Sequence, residues 1–272
     1  MNSTHFLVTG STSGLGLQIA CDLGAMGARL TLACRDVAKG ERVASEIRGG
    51  GAAAVDVLQY DAASASSIEA LARAYEARHA RLDVLVNNAG LASGTRRLTD
   101  EGIELTFATN VLGYHRMSLA FLPLLKVSAP SRLVNVASTF ASDLDLDDLQ
   151  FERRPYDELR AYAQSKACNR VLTWALARRL DGTRVTANAM APGFVPATGL
   201  SRNLSPELKK MYATRSGRSL KEGADTAVWL ASHDDVSGVN GRFFYDRRER
   251  PCEFRGGDTE ERLWTIASGA RA

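Results

Sequence analysis

A short apolar run, Phe6-Leu7-Val8, leads into Thr9-Gly10-Ser11-Thr12-Ser13-Gly14-Leu15-Gly16. Helical periodicity starts at once, with Leu15, Ile19, Leu23 and Met26 at three- and four-residue steps. Strand, glycine loop and helix in direct succession leave few folds open. Glycines let a backbone bend tightly and approach a pyrophosphate, which then sits at the positive end of the helix. The spacing is GxxxGxG rather than the commoner GxGxxG. A turn rich in small residues has the same composition. The strand before it and the helix after it favour the nucleotide site, with Gly10, Ser11, Ser13, Gly14, Leu15 and Gly16 as contacts.

The rest of the chain repeats the alternation. Strands are expected at Arg29–Ala33, Ala53–Leu58, Leu82–Val86, Arg132–Ala137, Val185–Met190 and Arg242–Tyr245. Helices are expected at Val37–Arg48, Ser64–His79, about Thr99–Leu125, Arg160–Leu180, Ser205–Tyr212 and Gly223–Ser232. Gly49-Gly50-Gly51 stops the first of these, and Ser64 caps the next. From Asp246 the tail is charged and irregular, turning weakly helical near Glu260–Ile266. Strands alternating with helices over the whole length call for an α/β fold, a doubly wound parallel sheet with helices on both faces. The 272 residues suit one domain, 1–272, with a substrate flap over 194–220. A hydrophobic share of 45% is enough for its core.

A net charge of +3 gives no reason to invoke nucleic acid. The chain opens without a basic n-region and has no apolar run of bilayer length, so a soluble, cytoplasmic protein without membrane contact is expected. Cys21, Cys34, Cys168 and Cys252 are scattered and read as reduced, mostly buried thiols. His5, His79, His115 and His233 are equally dispersed and give no support to a metal. Asp143-Leu144-Asp145-Leu146-Asp147-Asp148 has the opening of a calcium loop. Asp148 stands where the Gly belongs and Arg154 where the Glu belongs, so it reads as a solvated loop or lid.

Candidate site residues fall at strand ends. After the second strand, Cys34 occupies the place of the acid that would bind a ribose 2′-hydroxyl, and Arg35 follows. A neutral residue plus a guanidinium suits a 2′-phosphate and hence NADPH, unless Arg35 merely pairs with Asp36. Asp61 is a candidate for the adenine amino group. Asn88, Ala89 and Gly90 let the backbone close on a cofactor, and Asn87 ties strand ends together. Asn110 lies inside a helix, where it either holds a local opening and a water or faces solvent. Ser138, at a strand's carboxyl end, either donates to a substrate oxygen or turns the chain. Tyr162 and Lys166 are four residues apart on one helix face. An ammonium there favours ionisation of the phenol and makes Tyr162 usable as an acid near neutral pH. Pro192-Gly193 then turns the chain back over the cleft.

The ordered set TGSTSGLG, NNAG, Asn110, Ser138, YAQSK and Pro192-Gly193 resembles the short-chain dehydrogenase/reductase family from Phe6 to about Tyr245. The resemblance implies a Rossmann-like domain with about seven strands and a tetrad of Asn110, Ser138, Tyr162 and Lys166. Tyr162 would be the acid/base and Ser138 the group that polarises the carbonyl. Lys166 would lower the phenol pKa and hold the nicotinamide ribose with Tyr162, and Asn110 would anchor a relay water. Pro192, Gly193, Val195 and Thr198 would meet the nicotinamide, although Ala197 stands where that Thr usually does. Ser138 and Tyr162 are 24 positions apart, a loop about twice the length found in many members. That loop, with LACRD, AYAQSKACN and APGFVPATGL, is similar to the retinol dehydrogenase and protochlorophyllide reductase-like branch. The branch implies NADP(H), a hydrophobic carbonyl or alcohol substrate, and transfer of the 4-pro-S hydride. NADP⁺-dependent alcohol oxidation and a non-catalytic NADP(H) sensor are the alternatives. A homodimer or homotetramer through the Asn110 and Tyr162 helices is also implied; Phe107, Val111, Leu119, Val171, Leu172 and Trp174 serve either that interface or the core.

Overall fold

The computed structural model describes residues 3–270. Strands β1 (His5–Thr9), β2 (Arg29–Cys34), β3 (Ala54–Gln59), β4 (Val84–Asn87), β5 (Ser131–Val136), β6 (Val185–Ala191), β7 (Phe243–Tyr245) and β8 (Arg248–Arg250) form one sheet in the order β3-β2-β1-β4-β5-β6-β7-β8. Every pairing from β3 to β7 is parallel, and β8 runs antiparallel to β7. The order reverses between β1 and β4, where Val8 stands beside both Leu32 and Val86. In an open α/β sheet that crevice, beyond the carboxyl ends, is where ligands bind.

The strands read as continuous apolar runs because both faces are covered. Period-two alternation divides them between two cores. Phe6, Val8, Leu30, Leu32, Val84 and Val86 pack with Ile19, Leu23, Val43 and Ile47 of helices α1 (Gly14–Ala25) and α2 (Val37–Gly49). Leu7, Leu85 and Leu133 point the other way, onto Ile68 and Leu71 of α3 (Ala65–Glu76) and the helices beyond it. Burying one such side chain contributes about 1.5–3 kcal/mol.

The helix expected from Thr99 begins instead at Leu105, because Leu98 and Glu104 form a bridge and the Glu104 carboxylate accepts the Thr106 and Phe107 amides. It runs as α4 (Leu105–Phe107), a π-helical turn over Ala108–Leu112, and α5 (Gly113–Val127). Helix α6 (Glu158–Arg179) starts on an Asp157 cap. Helices α7 (Pro206–Thr214) and α8 (Leu220–Ser232) start on Ser205 and on a Ser219–Glu222 capping box. The tail after Asp246 is more ordered than its composition implies. It supplies β8, the eighth strand, and α9 (Gly257–Gly269), whose Leu263 and Ala267 are buried in a cluster with Val171 and Leu172 of α6. Phe107, Val111, Val171, Leu172 and Trp174 are core residues, while Leu119 is partly exposed. Among the thiols, Cys34 and Cys168 are buried, Cys252 is half-buried and Cys21 is exposed, against the expectation of mostly buried cysteines.

Candidate active site

Carboxyl ends of β1, β4 and β5 converge on one buried polar network. The Thr9 hydroxyl, at the end of β1, accepts the amides of Asn88 (2.9 Å) and Ala89 (3.0 Å), and Asn88 Nδ2 returns a bond to the Thr9 carbonyl (2.9 Å). Asn87 points inward, donating to Asn135 Oδ1 (3.0 Å) and Ser118 Oγ (3.1 Å), which is the strand-tying role.

The glycine loop closes tightly on this network. Gly14 has φ +57°, a conformation that favours glycine. At Gly16 a Cβ would lie 2.4 Å from both Asn88 Nδ2 and the Gly10 carbonyl oxygen, so only glycine fits. Ser13 stands at the N-cap of α1 without a side-chain cap bond, whereas Asp36, Ser64 and Asp157 cap α2, α3 and α6. The first amides of α1 therefore keep their donors for an anion. The Ser11 hydroxyl is buried without a partner, a cost of about 1–3 kcal/mol that a bound acceptor would relieve. The cradle thus fits a dinucleotide pyrophosphate. Leu15 sends its side chain into the core and can offer only its amide.

Arg35 is exposed at the end of β2 with no ion pair among the described residues; Asp36 caps α2 through the Lys39 amide instead of pairing with it. Asp61 follows β3 and accepts the Ala63 amide on one oxygen (2.9 Å). Gly90 lies beside Asn110 and Lys166, with a Cβ there 3.2 Å from Asn110 Oδ1 and 3.7 Å from Lys166 Nζ. Pro192 and Gly193 follow β6, Val195 is buried against Gly223 of α8, and the Thr198 carbonyl lies against Gly14.

The catalytic candidates are brought together. Asn110 is fully buried in the π-helical turn, not solvent-facing: Oδ1 accepts the Leu91 amide (2.9 Å), and Nδ2 donates to Leu91 O (2.8 Å) and Ser165 Oγ (2.9 Å). Ser138 follows β5 and takes the chain-turning role. It accepts the Phe140 amide (2.9 Å), which turns the chain, and it hydrogen-bonds the Tyr162 phenol. Lys166 is buried, with Nζ donating to Val136 O (2.9 Å) and lying 5.7 Å from the centre of the Tyr162 ring.

One expectation fails on the electrostatics. The Tyr162 phenol is raised well above its ordinary value, chiefly by loss of solvent and then by the Tyr212 phenol; the Ser138 hydrogen bond offsets part of this. Burial instead pulls the Lys166 ammonium down to about 7. The charge expected to tune the phenol is itself the more strongly titrated group near neutrality.

The acidic loop also departs from its expected character. Asp148 is buried and accepts the amides of Glu152 (2.7 Å) and Arg154 (3.0 Å) and Arg154 Nε (3.1 Å). Gln164, inside the YAQSK segment, clamps the same loop: Oε1 accepts the Asp145 amide (3.0 Å) and Arg154 Nη2 (3.1 Å), and Nε2 donates to Leu149 O (3.1 Å). A small cavity is bordered by His115, Asn135, Asn169 and Trp264, and none of Ser138, Tyr162 and Lys166 lines it.

Residues 4–209 match the family model for short chain dehydrogenase. This chain belongs to that family. Human retinol dehydrogenase 14 is 36% identical over 290 residues, covering 98% of this chain and 86% of the relative. A solved protein from Mycobacterium paratuberculosis superposes with a TM-score of 0.78 at 28% identity, over 98% of this chain and 93% of its own. The Pseudomonas aeruginosa RhlG complex with NADP gives 0.72 at 29% identity, over 89% and 94%. The short-chain dehydrogenase described here thus sits in the retinol dehydrogenase-like branch and is an oxidoreductase of alcohol and carbonyl groups. Among its described residues no helix is long and apolar enough to cross a membrane.

Sequence motifs alone do not single out Thr9 and Gln164. Thr9 opens the TGSTSGLG segment, but its partners lie 79 and 80 residues away, and no local pattern announces them.

Proposed function

We propose that this short-chain dehydrogenase uses NADPH to reduce a ketone or aldehyde on a hydrophobic small molecule, with Tyr162 giving the proton to the carbonyl oxygen. The observation that carries this is the convergence of Ser138, Tyr162, Lys166 and Asn110 beside the glycine loop with its unpartnered Ser11 hydroxyl. In this reading Gly10, Ser11, Ser13, Gly14, Gly16 and the Leu15 amide hold the pyrophosphate. Arg35 meets the 2′-phosphate, Asp61 the adenine, and Asn88, Ala89 and Gly90 the ribose side. Lys166 and Tyr162 take the nicotinamide ribose, and Pro192, Gly193, Val195 and Thr198 flank the nicotinamide. The cofactor, when bound, supplies the hydride that reaches the carbonyl carbon.

Everything else is done by the chain. Ser138 donates a hydrogen bond to the carbonyl oxygen and makes its carbon more electrophilic. Tyr162 transfers its phenolic proton to that oxygen as negative charge builds there. Burial holds the phenol protonated, the form that reduction consumes. Lys166, while charged, stabilises the phenolate left behind.

Tyr162→Phe tests the assignment. It should lower kcat about 100-fold or more, the usual scale for losing a general acid, while NADPH still quenches protein fluorescence on binding. A nearly wild-type kcat refutes Tyr162 as the acid.

A further inference from the structure

Arg170 is buried one turn beyond Lys166 on the face of α6 that carries Tyr162, and the chemistry above makes no use of it. Its guanidinium lies 3.8 Å from the centre of the Phe243 ring and 5.7 Å from that of Phe254. Nη2 donates to the carbonyl oxygen of Ser138, and Nε is buried without a partner. Burial lowers its pKa, with the Cys252 thiol and Glu253 carboxylate nearby opposing that shift. A buried cation with an unpaired donor is costly to stability. The two ring contacts and one charge-assisted hydrogen bond offset part of that cost.

The geometry gives this cation a task. Lys166 holds the carbonyl of Val136 and Arg170 that of Ser138. The helix thus holds the last carbonyl of β5 and, two residues on, that of Ser138. Tyr162, one turn earlier, meets the Ser138 hydroxyl. With its carbonyl held by Arg170 and its hydroxyl accepting the Phe140 amide, Ser138 is fixed both at its backbone and at its side chain.

We infer that Arg170 is a positioning residue: by holding the Ser138 carbonyl it aligns the Ser138 hydroxyl with the Tyr162 phenol and with the substrate oxygen. Through Phe254 it also links that alignment to the chain that follows β8. The inference rests on the reading of Ser138 and Tyr162 given above.

The experiment is a double-mutant cycle with Arg170→Met and Ser138→Ala. NADPH oxidation is followed with the fastest-reduced member of a panel of straight-chain aldehydes and aryl ketones. R170M should lower kcat roughly tenfold or more, the scale of a small misplacement of a reacting group, with the KM for NADPH unchanged. In the S138A background R170M should cost nothing further, because the group it aligns is gone. Equal losses in both backgrounds, or no loss in either, overturn the inference. Crystal structures of wild type and R170M give a readout independent of turnover: Ser138 Oγ must leave the Tyr162 phenol in the variant, and an unmoved hydroxyl overturns the inference. If S138A and Y162F both keep wild-type rates, it is the proposed function that fails.

Discussion

Lys166 carries a consequence that equilibrium unfolding can measure. Its ammonium falls from an ordinary 10.5 to about 7 on folding because burial penalises the charge. Between those values the unfolded chain binds more protons at this site than the folded one, so stability must rise with pH. The penalty is fully present below about pH 7 and is relieved as pH climbs toward 10.5. Integrating over the two states, the relief between about pH 7 and about pH 9 is about 2 kcal/mol. Other groups add linkage in the same window, the thiols of Cys34 and Cys168 among them, since burial raises them in the folded chain while their unfolded forms begin to ionise, and they would blur a single curve. Lys166→Met removes the site and leaves those groups in place. The assay is urea unfolding of wild type and variant at both pH values. Wild type should gain about 2 kcal/mol on the variant between them. The unpaired Val136 carbonyl in the variant adds a pH-independent offset that cancels. A wild-type-minus-variant difference constant to about 0.5 kcal/mol would refute the claim that the folded chain pays to bury this charge, since the linkage relation leaves no other outcome.

Arg35→Ala should raise the KM for NADPH about tenfold or more and leave that for NADH unchanged, the loss of one charge-assisted phosphate contact; parallel changes for both cofactors would count against Arg35 as the 2′-phosphate ligand. Gln164→Ala removes three hydrogen bonds to the 145–154 loop. It should destabilise by about 2 kcal/mol and speed tryptic cleavage after Arg153; an unchanged cleavage rate would show that the loop is held elsewhere.

Features set by local chemistry were legible in the sequence. Apolar runs placed seven of the eight strands to within two residues, and Ser64 was readable as a cap because capping depends on neighbours in the chain. Spacing alone placed Tyr162 and Lys166 on one helix face. What failed depends on distant partners. The π-helical turn at Asn110 is held by Leu91, 19 residues away, and by Ser165, 55 away. Asp148 looked solvated because most of its partners are backbone amides, which no residue type reveals. Burial of the phenol is a tertiary property, so the sign of the Tyr162 shift could not be read from an adjacent lysine.

The two shifts together say how the site divides its labour. A phenol pushed up by burial holds its proton across the neutral range and is a reluctant donor until negative charge appears on the substrate oxygen. A lysine pulled down to about 7 is the group that changes state in that range. While charged it favours the phenolate that proton transfer leaves behind; once neutral it cannot. Reduction should therefore fall as pH rises through the lysine titration, while Tyr162 itself remains protonated. Lysine to arginine at position 166 would keep the charge but present a planar fork where Nζ now makes one bond to Val136 O. Charge and shape are thus both demanded at this position, and a residue that satisfies only the charge leaves the strand end, and Ser138 with it, without its second hold.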